Sequence, residues 1–121
     1  MGFLNYDELD VWKECRKLVS EIYRITKDFP KEEMYGLTNQ LRRSSISIIS
    51  NIAEGTGRNT TKDSLQLFYI SRGSLFESEA QLIVASDLNY ISEEQLKEIY
   101  LQLTTCKKLL NGFINYHKTK L

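Results

Sequence analysis

Residues 92–117 read SEEQLKEIYLQLTTCKKLLNGFINYH. Within them Leu96, Ile99, Leu103, Cys106, Leu110, Phe113 and His117 recur at spacings of 3-4-3-4-3-4. That is the period of a helix that keeps one face on a neighbour, and its mean of about 3.5 residues implies a left-handed supercoil. Ser92 and Gln95 fit the capping box S-x-x-E/Q, and Ile91 with Leu96 fits the hydrophobic staple that accompanies it. The stretch predicts a helix over 93–117 with one apolar stripe, which needs other helices to cover it.

Three earlier segments supply them. A helix over 61–88 starts at Thr60 or Thr61, with Asp63 in its first turn where a negative charge suits the dipole. A helix over 38–54 carries the stripe Leu37, Leu41, Ser45, Ile48 and Ile52, and the glycines Gly55 and Gly57 read as its stop. A helix over 8–28 carries Val11, Cys15, Leu18, Ile22, Ile25 and Phe29, with Asp7 as its N-cap and Pro30 beyond its end. Residues 1–121 thus read as one all-α domain, an antiparallel up-down-up-down four-helix bundle of left-handed twist. Composition agrees: one proline and six glycines in 121 residues leave too few turn signals for an all-β fold.

No apolar run reaches the ~18 residues of a membrane span, so no membrane partner is expected. Met1 to Asp10 has neither the basic nor the apolar region of a secretion signal, so a cytoplasmic location is expected. Cys15 and Cys106 then read as reduced core thiols. Phe3, Leu4 and Tyr6 are expected to dock on the bundle or on a neighbour.

Two helices are more apolar than one bundle requires. Arg42, Ile46, Ile49 and Ala53 form a second row on the helix over 38–54. On the helix over 61–88, Leu65, Tyr69, Phe76 and Ile83 form one extra row, and Ile70, Gly73, Ala80 and Val84 form another. A helix that is apolar most of the way round is buried most of the way round, so a homo-oligomer is expected. The two surplus patches differ, and contact between unlike patches closes into rings rather than two-fold dimers. Gly73 in mid-helix suggests a close approach there.

Polar residues on the same helices form a second candidate set. Arg43, Ser47, Ser50 and Glu54 share a face, with Asn51 beside them and Ser74 and Glu77 on the next helix. They read as a hydrogen-bonded lock between helices or subunits, the alternative being a ligand pocket. Arg72 and Glu79 fall in the apolar stripe seven residues apart, so each needs a partner on another helix or chain.

Enzymatic constellations are missing from the sequence. A di-iron bundle needs two Glu-x-x-His motifs, and His117 is the one histidine. The same count removes Ser-His and Cys-His catalysis. Gly55-Thr56-Gly57-Arg58-Asn59 has no lysine in Walker register. Glu77/Glu79 and Glu93/Glu94 lie one or two residues apart and diverge on a helix. No cofactor, metal or catalytic residue is therefore expected.

Charge is neutral in sum, sixteen basic against sixteen acidic, but segregated. Residues 38–72 carry five basic and two acidic side chains, 77–98 one basic and six acidic, and 99–121 four lysines and no acid. Arg58, Lys62, Lys107 and Lys108 are the candidate nucleic-acid contacts, with a merely solvated face as the alternative.

Several of these segments match a family pattern in order. Tyr6-Asp7-Glu8-Leu9-Asp10-Val11-Trp12 resembles its opening motif, and Phe29-Pro30 with Tyr35-Gly36-Leu37-Thr38-Asn39-Gln40-Leu41-Arg42-Arg43 its second block. Ser47-Ile48-Ile49-Ser50-Asn51-Ile52-Ala53-Glu54-Gly55 resembles its most distinctive segment, and Gly73-Ser74-Leu75 with Glu77 a fourth. Over about residues 3–116 the chain resembles the four-helix-bundle proteins encoded by intervening sequences in bacterial 23S rRNA genes. The resemblance implies an antiparallel bundle assembling as a ring-like homopentamer. It also implies kinship to the accessory variability protein of diversity-generating retroelements, a basic pentamer that binds a reverse transcriptase and nucleic acid; this chain is neutral.

The expectation for function is a non-enzymatic, self-assembling scaffold or adaptor whose partner is protein or RNA. The alternative is a nucleic-acid-binding accessory factor, for RNA or DNA with a reverse transcriptase. A small-molecule-binding or metal-dependent enzyme is the residual reading.

Overall fold

Four α-helices dominate the computed structural model, which describes residues 5–121: α1 Asp10–Thr26, α2 Leu37–Thr56, α3 Thr61–Asp87 and α4 Glu93–Lys118. Short 3₁₀ turns lie at Tyr6–Glu8 and Lys31–Glu33, and there is no strand among the described residues. Contacts on consecutive helices run in opposite order. Trp12 meets Ile49 and Thr26 meets Arg42 between α1 and α2. Ser44 meets Ser78 and Ser47 meets Ser74 between α2 and α3. Glu79 meets Lys107 and Arg72 meets Asn111 between α3 and α4. Packing of α1 on α4 closes the four around one core.

The α4 start forms as its local sequence dictates. Ser92 Oγ accepts from Gln95 N at 3.1 Å, Gln95 Oε1 accepts from Ser92 N at 2.9 Å, and Ile91 is buried. Thr60 caps α3 by accepting from Asp63 N at 3.1 Å. The α3–α4 turn is a Schellman motif, with Tyr90 N donating to Ala85 O and Asn89 N to Ser86 O. Asn89 takes the left-handed position at φ 62°, which asparagine tolerates better than most residues.

Three boundaries differ from the sequence expectation: α1 ends at Thr26, two residues short of 28, and the other two have packing reasons. Helix α1 starts at Asp10 rather than near residue 8, and Asp7 lies in the preceding 3₁₀ turn instead of capping it. Leu9 is extended between the two. This break brings the Tyr6 ring edge-on to Trp12, with centroids 5.1 Å apart, whereas six residues of continuous helix would turn them about 120° apart. Phe3 and Leu4 lie outside the described residues.

Helix α2 does not stop at Gly55. It runs through Thr56 and ends on Gly57, with Gly55 buried inside it. A Cβ on Gly55 would stand 2.4 Å from the Phe68 ring, so this glycine serves close packing between α2 and α3. Other core positions follow the stripes: Leu18, Ile22, Leu41, Ile48, Phe68 and Leu103 are fully buried. Cys15 and Cys106 are free thiols at the α1–α4 contact. The hydrogen bond with Cys106 and burial hold the Cys15 thiol well above its ordinary pKa, so it stays protonated at neutral pH.

Glu33 ties the α1–α2 connection to the far end of α3. Its carboxylate accepts from Tyr90 Oη at 2.7 Å and from Leu37 N at 3.1 Å. The Tyr90 hydroxyl and then the Leu37 N–H hold its pKa below the ordinary value, while that bond to Glu33 raises Tyr90. The depressed Glu33 contributes stability above about pH 4.3 that is lost as pH falls through its lower folded-state value. The raised Tyr90 contributes stability below about pH 10 that is lost as pH rises through its higher one. Glu33→Gln is expected to flatten both limbs of the stability–pH profile, measured by urea unfolding; unchanged limbs would count against this coupling.

Candidate functional site

The α2–α3 seam is built from small hydroxyls. Ser44, Ser45, Ser71, Ser74 and Ser78 are buried, and their size lets the two helices approach closely. Ser44 Oγ lies 2.8 Å from both Ser78 Oγ and Gln81 Oε1. Gln81 Oε1 and Leu41 O, the latter at 3.1 Å, only accept, so Ser44 spends its one proton on them and Ser78 donates to Ser44. Ser71 Oγ donates to Ile48 O at 2.7 Å. Ser74 Oγ donates to Ser47 Oγ at 2.8 Å, and Asn51 Nδ2 donates to Ser47 Oγ at 3.0 Å and to Ser47 O at 2.8 Å.

Of the polar set named from the sequence, the fold thus brings Asn51 and Ser74 together on Ser47. Arg43, Glu54 and Glu77 are exposed around them. Glu54 pairs with Arg58 one turn on, at 2.6 Å. Serines 44, 71 and 78 belong to the same lock and were not in that set; their signal was the run of small residues at helical spacing.

The apolar rows part company. Leu65 is buried, while Tyr69, Ile70, Phe76, Ile83 and Val84 of α3 are exposed. On α2, Ile46 is 39% exposed. Arg42 is half-buried, its Nε donating to Thr26 Oγ1 at 2.9 Å and its guanidinium over Tyr23. Ile49 packs on the core, with its carbonyl accepting from Trp12 Nε1 at 3.1 Å, and Ala53 is half-buried. No atom outside its own helical turn lies within 4 Å of a Cβ on Gly73, so the close approach there is not made inside the described chain.

Two of the four candidate cations have partners in the chain. Arg58 is on Glu54. Lys107 bonds Glu79 at 2.5 Å across α3–α4 and lies over the Phe76 and Tyr100 rings. Lys62 and Lys108 are exposed. Arg72, expected to find a partner on another helix, bonds Asn111 at 3.3 Å. Sequence reasoning missed a group of cation–ring pairs: Arg72 and Lys118 over Tyr69, and Lys120 over Tyr116. The i,i+3 and i,i+4 spacings of Tyr69–Arg72 and Tyr116–Lys120 were the available signal.

Among the described residues no three His, Cys, Asp or Glu side chains converge to hold a metal ion, and no helix is long and apolar enough to cross a membrane. No curated protein matches the chain significantly. Among solved structures it is similar to a crystal structure of a protein with unknown function from the S23 ribosomal protein family of Bacteroides thetaiotaomicron VPI-5482. Identity is 25%, 86% of this chain and 97% of that chain are covered, and the TM-score is 0.79. Neither that description nor the matching family model names an enzymatic activity. The model matches residues 7–112, nearly the whole helical array, and the chain belongs to the 23S rRNA-intervening sequence protein family.

Proposed function

We propose that the chain is a non-enzymatic scaffold that assembles with copies of itself through unlike patches, one centred on Ile46 of α2 and one on the outer face of α3. The observation that carries this reading is the apolar outer face of α3, where Ile70, Phe76, Ile83 and Val84 stand exposed around Gly73 and Ala80. Monomeric proteins rarely expose contiguous apolar surface of this kind without a partner for it. Nothing outside its own helical turn lies within 4 Å of where a Gly73 Cβ would stand, which leaves room for a side chain of a second copy, and we assign that place to Ile46. Exposed Arg43 on α2 and Glu77 on α3 add opposite charges near the two patches. The ring order we propose is five, as the family resemblance implies. Light scattering coupled to size exclusion is expected to give a closed oligomer at micromolar concentration; a chain that runs as a 14.1 kDa monomer would overturn the reading.

A second reading rests on the cations over Tyr69 and Tyr116, an arrangement on which unpaired bases stack. It proposes single-stranded RNA or DNA as partner. Fluorescence anisotropy with a labelled oligonucleotide is expected to show affinity that falls steeply with salt. Tyr69→Ala is expected to weaken binding at every salt concentration, and binding indifferent to both would remove this reading.

A further inference from the structure

At one end of the bundle the last turn of α2, the first turns of α3 and the end of α4 surround a cleft of about 440 Å³. That volume falls within the range of small-molecule sites. Leu9 and Phe113 form its apolar side, and Thr56, Ser64, His117 and Lys120 its polar side. Each polar group has a defined role left to it. Thr56 Oγ1 spends its proton on Ala53 O at 2.7 Å. Ser64 is 8% exposed and lines the cleft, where its hydroxyl can donate to a ligand. His117 Nδ1 is 2.9 Å from Phe113 O; a carbonyl only accepts, so Nδ1 carries the hydrogen and Nε2 is the ring nitrogen left over.

The imidazole is fixed further by rings. Phe113 stands 4.4 Å from it, Phe68 5.0 Å and Tyr116 5.4 Å, centroid to centroid. Lys120 lies over Tyr116 at 4.5 Å, which keeps its ammonium at this end of α4. Among the described residues no carboxylate side chain lines the cleft. Ser64 stands near the positive end of the α3 dipole, which also favours negative charge.

We propose that this end cleft binds a small amphipathic organic acid, its carboxylate held by Ser64 and Lys120 and its hydrocarbon body lying on Leu9 and Phe113. The site lies at the end of the bundle, apart from the assembly patches. A hydroxyl and a cation on one side favour an anion, and the apolar side favours a carbon chain over a bare ion such as phosphate.

The test is a ¹H–¹⁵N NMR titration of the full chain with sodium octanoate, octanamide and sodium phosphate at constant ionic strength. Octanoate is expected to move the Ser64, Phe113 and His117 amide signals and to saturate with a Kd of ~0.1–1 mM. Octanamide and phosphate are each expected to bind at least about fivefold more weakly, which is about 1 kcal/mol. Ser64→Ala and Lys120→Gln are expected to weaken octanoate severalfold while the circular dichroism spectrum stays unchanged. Equal affinity for octanamide would overturn the charged half of the proposal, and equal affinity for phosphate the apolar half. Signal changes centred instead on the exposed α4 groove of Leu96, Tyr100 and Leu101, or no saturation by octanoate, would overturn it entirely.

Discussion

Gly55→Ala is expected to destabilise the bundle by about 2 kcal/mol, although alanine is the better helix former. The added methyl would stand 2.4 Å from one carbon of the Phe68 ring and 2.8 Å from the next. Real Cβ atoms do not sit that close, so the ring or the helix must move. Phe68 cannot yield freely, being fully buried with Phe113 and His117 against it at 4.8 and 5.0 Å. Overpacking a rigid core costs about 1–3 kcal/mol; contacts this short put the cost at the top of that range, and the roughly 1 kcal/mol that alanine returns in helix propensity leaves a net loss of about 2 kcal/mol. The melting temperature should fall by about 6–10 °C for a chain of this size. Phe68→Leu removes the clashing ring edge and leaves a small void, costing about 1–2 kcal/mol alone. If the clash is the cause, the double variant is less destabilised than the sum of the singles by at least about 1 kcal/mol. Additive losses in urea unfolding would show that Gly55 matters for some other reason.

That glycine also marks the limit of what the sequence makes legible. Features decided within one helical turn read correctly: the Ser92–Gln95 box forms bond for bond, and Thr60 caps α3. Periodicity places the stripes, because burial repeats with the turn of the helix, and Cys15, Leu75 and Leu110 fall on the buried side. Gly55-Thr56-Gly57 looks the same locally whether the first glycine ends a helix or admits a ring from the next one. Only the register of α2 against α3 separates these, and register is a property of the pair. Lys107 shows the same limit. It reads as a free cation among its neighbours, yet the α3–α4 register sets it on Glu79. For Arg72 and Glu79 the reading succeeds, since charges in an apolar stripe need partners whatever the register. In the candidate site, Asn51 to Ser47 is one turn apart and legible, whereas Ser44 to Ser78 spans 34 residues and is not.

Ile46→Glu is expected to abolish self-assembly while leaving the helical bundle folded, and Gly73→Ala is expected to move stability and assembly in opposite directions. Ile46 is already 39% exposed in the single chain, so a glutamate there keeps its water and costs the monomer little, within about 1 kcal/mol. In the proposed ring the same side chain takes the place beside Gly73 of a second copy. Burying its carboxylate there without a partner costs several kcal/mol, a weakening of at least about 1,000-fold per contact at ~4 kcal/mol. Light scattering should report monomers, and far-ultraviolet circular dichroism should report unchanged helix. Gly73 has open space where its Cβ would be, so alanine strains nothing and stabilises the isolated chain by about 0.5–1 kcal/mol. In the ring that methyl occupies the place assigned to Ile46 and pushes the neighbour away. A weaker oligomer made from a more stable protomer is an outcome that a general destabilisation cannot imitate. If Gly73→Ala raises the unfolding midpoint and leaves the oligomer intact, the outer face of α3 is not the contact, whatever Ile46→Glu does.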